Sequence, residues 1–150
     1  MKFKDLIDQL TLEEKVQVLT GEDFWSTWNV PKIGLRKLVV SDGPSGVRGE
    51  LWDERSDSLS LPSATAFAST WDKELLAFIG EVMASEARRK NVDVVLGPTI
   101  NLHRSPLGGR HFEAYSEDAV LSGHMAAAFI QGIQSQGVGG CLKHFVANDA

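Results

Sequence analysis

The apolar residues of the chain are concentrated in short runs that have the length of buried strands. Residues 38–41 and 92–96 are mostly apolar and rich in β-branched side chains, and each run is followed by a loop that contains Gly-Pro. A third run extends from about Gly140 to Val146. The pattern therefore predicts three strands.

Helical spacing of apolar residues occupies the two intervals between these runs. In the first interval we predict a helix that begins near Ser69 or Thr70 and ends at residues 88–90, which are all basic and suit the negative end of the helix dipole. In the second we predict a helix from near Ser116 to near Gly137.

Two shorter helices are predicted before the first strand. Apolar residues recur at helical spacing between Phe3 and Leu10. Thr11 and Glu14 then fit the T-x-x-E capping box, in which each side chain accepts a hydrogen bond from a free amide of the first turn. A second helix should therefore begin at Thr11, and Gly21 suits its C-terminal end.

The order strand, helix, strand, helix, strand predicts an α/β domain with parallel strands and right-handed crossovers. Both an open doubly wound sheet and a (β/α)8 barrel fit this order. In either architecture, functional sites form at the carboxyl ends of the strands.

Composition narrows the function classes. The chain has 150 residues, of which 43% are hydrophobic and 23% charged, as is typical of a soluble globular domain. Its net charge of -5 argues against general nucleic-acid binding. Asp5 and Asp8 interrupt the N-terminal apolar residues, so no signal peptide is predicted. No apolar stretch approaches the length of a membrane span, and a cytoplasmic location is expected. The single cysteine, Cys141, is expected to be a buried core residue.

Polar side chains follow each predicted strand. Asp42 comes directly after the first strand and can accept hydrogen bonds from two neighbouring hydroxyls of a sugar, with Arg48 folding back across the glycine-rich loop. The alternative is that Asp42 only stabilises its own Asp-Gly-Pro turn.

The loop after the second strand presents an arginine. Gly108 and Gly109 allow a tight bend before Arg110, whose planar guanidinium suits paired oxygens, and Glu113 and Glu117 are placed to hold it. A surface ion pair is the alternative. The loop lacks the G-K-[ST] and G-x-G-x-x-G patterns of a nucleotide site.

The third strand carries Lys143 and His144. Adjacent strand residues point to opposite faces, so both can reach one site only if the strand end is irregular. A structural, hydrogen-bonded histidine is the alternative. The four histidines show no metal-ligand spacing, and neither a metal nor a cofactor is predicted. Taken together, the three strand ends favour a site for a polyol or sugar.

Several long motifs resemble glycoside hydrolase family 3, and they occur in that family's order. They are LTLEEKVQVLTG, VVSDGPSGVRGE, LPSATAFASTWDKELL, LGPTINLHRSPLGGRHFEAYSED and CLKHFVAND. The set is most similar to the β-glucosidase branch, because Val146 to Asp149 replace the P-G-x-G stretch typical of the N-acetylglucosaminidase branch. The resemblance implies that residues 1–150 are the N-terminal portion of a (β/α)8 barrel domain, with about three strand–helix units.

The resemblance also implies roles for individual residues. Five residues match positions that bind the hydroxyls of the sugar before the cleaved bond: Asp42, Arg48, Arg110, Lys143 and His144. Family enzymes retain anomeric configuration with two carboxyl groups. The nucleophile motif S/T-D-W is absent here, because none of the four tryptophans follows an aspartate. The catalytic Asp and Glu are therefore expected beyond Ala150.

The resemblance thus implies that the parent protein hydrolyses terminal β-glycosides of a small sugar or oligosaccharide, as a β-glucosidase does. The isolated chain, as an incomplete barrel, is expected to be inactive. A β-xylosidase or arabinosidase of the same family, a non-catalytic sugar-binding or scaffold fragment, and a homo-oligomer of the full-length protein remain open.

Overall fold

The computed structural model describes residues 2–50, 53 and 55–149. Its sheet has three parallel strands, β1 (Val40–Ser41), β2 (Val94–Val95) and β3 (Gly139–Gly140), in the order β1-β2-β3. Each strand of this α/β fold follows its neighbour in sequence and in space, as at the start of a (β/α)8 barrel. The predicted order of elements is confirmed.

Helices connect and flank the strands. They are α1 (Lys4–Ile7), α2 (Leu12–Val18), α3 (Ala64–Ala68), α4 (Lys73–Arg89) and α5 (Ala119–Ser135), with short 3-10 turns at Pro31–Ile33 and His111–Glu113. The long helices α4 and α5 are the crossovers between successive strands and pack against each other. Within the described ranges, no helix has the length and apolar character needed to cross a membrane.

Side-chain caps fix where the helices begin. The predicted capping box at α2 is confirmed, since the Thr11 hydroxyl accepts from the Glu14 amide at 3.2 Å and Glu14 accepts from the Thr11 amide at 2.8 Å. Helix α5 begins at Ala119, three residues after Ser116, because the Asp118 carboxylate caps it by accepting from the Leu121 amide at 2.7 Å.

The start predicted for α4 was wrong by two or three residues. Its cap is Asp72, whose carboxylate accepts from the Leu75 amide at 2.9 Å. Ser69 and Thr70 instead end the short helix α3, where their hydroxyls donate to backbone carbonyls of that helix. Sequence patterns missed α3, because five residues are too few to show a helical period.

The core lies between the sheet and helices α4 and α5. Its largest fully buried side chains include Leu76, Met83, Met125, Phe129 and Ile133. Cys141 does not join this core, and the prediction that it is buried was wrong. Its amide continues the sheet by donating to the Val95 carbonyl at 2.9 Å, but it follows β3, the outer strand of the described sheet, and its thiol is exposed.

Close packing of α4 on α5 depends on glycine. A methyl group added at Gly132 would lie 2.0 Å from the Ala77 carbonyl oxygen of the facing helix, whereas one added at Gly123 on the same helix meets nothing within 4 Å. We expect Gly132→Ala to lower the free energy of unfolding by about 1–3 kcal/mol through overpacking. Gly123→Ala should raise it by roughly 0.5–1 kcal/mol, because alanine is the better helix former. Denaturant titration of both variants tests this, and equal stabilities would contradict the packing described.

Candidate functional site

The five residues singled out in the sequence converge on one edge of the sheet. Asp42 directly follows β1, and its Oδ1 accepts a hydrogen bond from Lys143 Nζ at 2.8 Å. Lys143 lies beyond β3, and its side chain is 15% exposed against 43% for Asp42. A half-open carboxylate paired with a nearly buried ammonium can accept from one ligand hydroxyl while the ammonium donates to a second.

Charge and hydrogen bonding keep Asp42 ionised. Burial acts to raise the pKa of this carboxyl, but the hydrogen bond from Lys143 and the backbone amide of Gly43, together with the positive charges of Lys143 and Arg48, hold its pKa below the ordinary value. Asp42 therefore stabilises its own turn and also faces the site, so both interpretations of this residue apply.

The loop after β1 brings Arg48 back to Asp42. The Arg48 amide donates to the Asp42 carbonyl at 3.1 Å, and the Gly49 amide donates to the Ser41 hydroxyl at 2.8 Å. Gly43 has φ +117°, and a side chain there would collide with the Gly46 carbonyl. The Arg48 guanidinium lies over the ring of Trp25, 5.5 Å from its centroid.

Arg110 is held by a buried carboxylate. Its Nε donates to Glu113, whose side chain is 8% exposed, and the other Glu113 oxygen accepts from the Thr99 hydroxyl at 3.2 Å. The prediction that Glu113 holds the guanidinium is confirmed. Glu117 instead lines a separate surface cleft with Trp71 and His124. Because Glu113 is buried, the ion pair between Arg110 and Glu113 is not a pair of two exposed surface side chains.

His144 faces Arg110 across a short gap. Its Nε2 lies 3.3 Å from an Nη atom of Arg110. The regular strand β3 ends at Gly140, and Lys143 forms only an isolated bridge with Thr99 beyond it. In this irregular segment the side chain of Lys143 reaches Asp42, and that of His144 reaches Arg110. The requirement for an irregular strand end is thus met.

A cleft of about 440 Å³ opens beside these groups. It is lined by residues 42–46, residues 58–60, Arg110, Phe112 and Glu113. Its volume falls within the range of small-molecule sites, roughly 300–1,000 Å³. In the described part of the chain, no three His, Cys, Asp or Glu side chains are grouped as ligands for a metal ion.

Three residues near the site were not found from the sequence. Trp25 supports Arg48, Thr99 binds Glu113, and Asn101 binds His144. Thr99 and Asn101 both follow β2, and their position after a predicted strand could have identified them as candidate site residues. Nothing in the sequence pairs Trp25 with Arg48, because its contact depends on how two loops fold together.

Comparison with known proteins shows the family of the chain. Residues 13–150 match the model of the Glycosyl hydrolase family 3 N terminal domain. The chain belongs to this family. It is 49% identical over 146 residues to a putative beta-glucosidase of Schizosaccharomyces pombe, covering 97% of the chain and 18% of that protein. It is 50% identical over 143 residues to a probable beta-glucosidase I of Emericella nidulans, covering 95% and 17%.

Solved structures of the family superpose closely. Beta-glucosidase 3B from Thermotoga neapolitana in complex with glucose has a TM-score of 0.89 at 44% identity, covering 99% of this chain and 24% of that one. Beta-glucosidase from Kluyveromyces marxianus in complex with glucose has a TM-score of 0.93 at 42% identity, covering 97% and 18%. The family 3 chain described here thus spans between a sixth and a quarter of the length of these relatives.

Proposed function

We propose that this chain is the N-terminal portion of the barrel domain of a retaining β-glycosidase that acts on terminal β-glucosides. The family membership of residues 13–150 supports the reaction class. The names of the relatives, which are beta-glucosidases, and the glucose complexes of two of them support glucose as the sugar.

The proposed sugar-binding residues are Asp42, Arg48, Arg110, Lys143 and His144. The observation that carries this proposal is the placement of the Asp42–Lys143 pair and the Arg110–His144 pair at one edge of the sheet. Such fixed donors and acceptors can bind the hydroxyls of a single sugar ring more tightly in its distorted transition state than in its ground state. The nucleophile and the acid/base carboxyl belong, on this proposal, to the part of the protein that follows residue 150.

The test is hydrolysis of 4-nitrophenyl β-D-glucopyranoside by the full-length protein, with the product anomer followed by proton NMR. We expect β-glucose to appear first, because a retaining enzyme inverts the anomeric carbon twice: its carboxylate first displaces the nitrophenol, and water then displaces that carboxylate. If α-glucose appears first, the proposed retaining mechanism is wrong. The corresponding β-xyloside and α-arabinoside are assayed in parallel, and if only one of these is cleaved, the proposed preference for glucose is wrong. If none is cleaved while glucose binds, the protein is a non-catalytic sugar binder.

A further inference from the structure

The side chain of Asn101 forms two hydrogen bonds to the backbone of His144 and also contacts its ring. Its Nδ2 donates to the His144 carbonyl at 3.1 Å, and its Oδ1 accepts from the His144 amide at 2.7 Å. The same Oδ1 lies 3.3 Å from the ring nitrogen Nδ1 of His144. Asn101 is itself buried, with 8% of its surface exposed. A buried side chain with three contacts to one residue restricts both the backbone and the ring of that residue.

The partner on the other side of the ring decides where its proton resides. Arg110 approaches Nε2 at 3.3 Å, and a guanidinium can only donate hydrogen bonds. Nε2 must therefore present its lone pair, and in a neutral imidazole the proton is then on Nδ1. The Oδ1 of Asn101, which can only accept, is within reach of that proton.

Asn148 does not change this assignment. Its side-chain amide lies 3.1 Å from the same Nδ1, and a donor there would favour the opposite tautomer. However, Asn148 is exposed, and a half-turn of its carboxamide places an oxygen at the same position. Arg110 has no such alternative, because every polar atom of its side chain is a donor.

We propose that Asn101 is a positioning residue, which holds the imidazole of His144 in the Nδ1–H tautomer so that Nε2 and Arg110 face the sugar as an acceptor beside a donor. When a sugar binds, one of its hydroxyls can replace the Arg110 N–H as the donor to the single lone pair of Nε2 and can itself accept from the guanidinium. This role rests on the proposed function, since His144 acts here through its contact with the sugar.

The charges around the ring favour the neutral imidazole that this arrangement needs. Burial lowers the pKa of His144, and the positive charges of Arg110 and Lys143 lower it further. The carboxylates of Glu113 and Asp42 act in the opposite direction but are outweighed. With its pKa below the ordinary value, His144 stays neutral to a lower pH than a free histidine does.

The test compares Asn101→Asp, Asn101→Ala and Asn148→Ala in the full-length protein. The first readout is deuterium exchange at the ring carbon between the two nitrogens, whose rate follows the titration of each histidine. Trypsin cleaves after Lys143, so the peptide that begins with His144 separates it from His103, His111 and His124. We expect Asn101→Asp to raise the exchange midpoint of His144 by about one to two pH units, because the new carboxylate beside Nδ1, next to the Asp149 carboxylate to which the Asn101 side chain is hydrogen-bonded, favours the imidazolium. Asn148→Ala should leave the midpoint in place.

The second readout is the pH profile of kcat/KM for the aryl β-glucoside. In Asn101→Asp, the pKa of His144 is raised, so the neutral ring is lost at a higher pH and the acid limb should move up with the exchange midpoint. Above that midpoint, the variant should recover more activity than Asn101→Ala but not all of it, since a carboxylate still accepts from Nδ1–H but cannot donate to the His144 carbonyl as Nδ2 does. Asn101→Ala should lose activity at every pH.

These outcomes separate the two proposals. An unchanged exchange midpoint in Asn101→Asp, or a shifted one in Asn148→Ala, overturns the positioning role even if the wild-type protein is fully active. A protein that hydrolyses no glycoside overturns the proposed function, while the exchange profiles still report whether Asn101 controls the protonation of His144.

Discussion

Replacing Asp42 with alanine in the full-length protein is expected to lower kcat/KM for an aryl β-glucoside roughly 30- to 5,000-fold, making it one of the most damaging single changes in the chain. Removing one partner of a buried hydrogen-bonded charge pair costs about 2–5 kcal/mol, and each 1.36 kcal/mol corresponds to a tenfold change in rate. Asp42 is 43% exposed, so water compensates part of this loss, but the lost contacts with the sugar offset that compensation. The change removes an acceptor for sugar hydroxyls and leaves Lys143, only 15% exposed, without its carboxylate.

Asp42→Asn separates the charge of this residue from its shape. The amide keeps one oxygen that can accept from Lys143 but loses the negative charge, so we expect a loss between those of wild type and Asp42→Ala. Asp57→Asn is the matched control, because the Asp57 side chain is exposed. The hydrogen bond that Asp57 accepts from Arg89, at 2.7 Å, uses the backbone carbonyl, which the substitution leaves in place. Turnover by Asp42→Ala at the wild-type rate would remove Asp42 from the site.

The features that the sequence predicts well depend on residues close together in the chain. The capping box at Thr11 depends on two residues three positions apart. The alternation of strands and helices depends on the spacing of apolar side chains within each segment. The rule that parallel strands end at one edge also predicted that Asp42 and Lys143 lie near each other, although 101 positions separate them.

The features that were missed depend on packing between distant segments. The exposure of Cys141 depends on which elements cover the outer strand, and a local apolar pattern carries no information about this. The sequence also could not show which of Glu113 and Glu117 binds Arg110. Both follow Arg110 closely enough to reach its guanidinium, but only Glu113 lies on the 3-10 turn that places its carboxylate there. The role of Asn101 likewise requires the segment after β3 to fold back over the end of β2.

Replacing Glu113 in the full-length protein should impair the proposed glycoside hydrolysis through Arg110. Removing one partner of a buried ion pair costs about 3–5 kcal/mol, but Arg110 is 57% exposed, so water compensates part of this loss. For Glu113→Ala we therefore expect kcat/KM to fall about 10- to 100-fold, corresponding to a loss of roughly 1.4–2.7 kcal/mol. The freed guanidinium no longer keeps its place beside His144, and the Thr99 hydroxyl loses its acceptor.

Glu117→Ala is the matched control, since Glu117 is the same residue type four positions later and lies at a different cleft. It should change kcat/KM by less than about twofold, as is usual for an exposed side chain outside the site. Glu113→Gln should fall between wild type and Glu113→Ala, because the amide can still bind both Arg110 and Thr99 but carries no charge. If Glu113→Ala and Glu117→Ala reduce kcat/KM equally, Arg110 is not positioned by Glu113. A loss confined to melting temperature, with kcat/KM unchanged, would assign Glu113 to folding rather than to the binding of sugar.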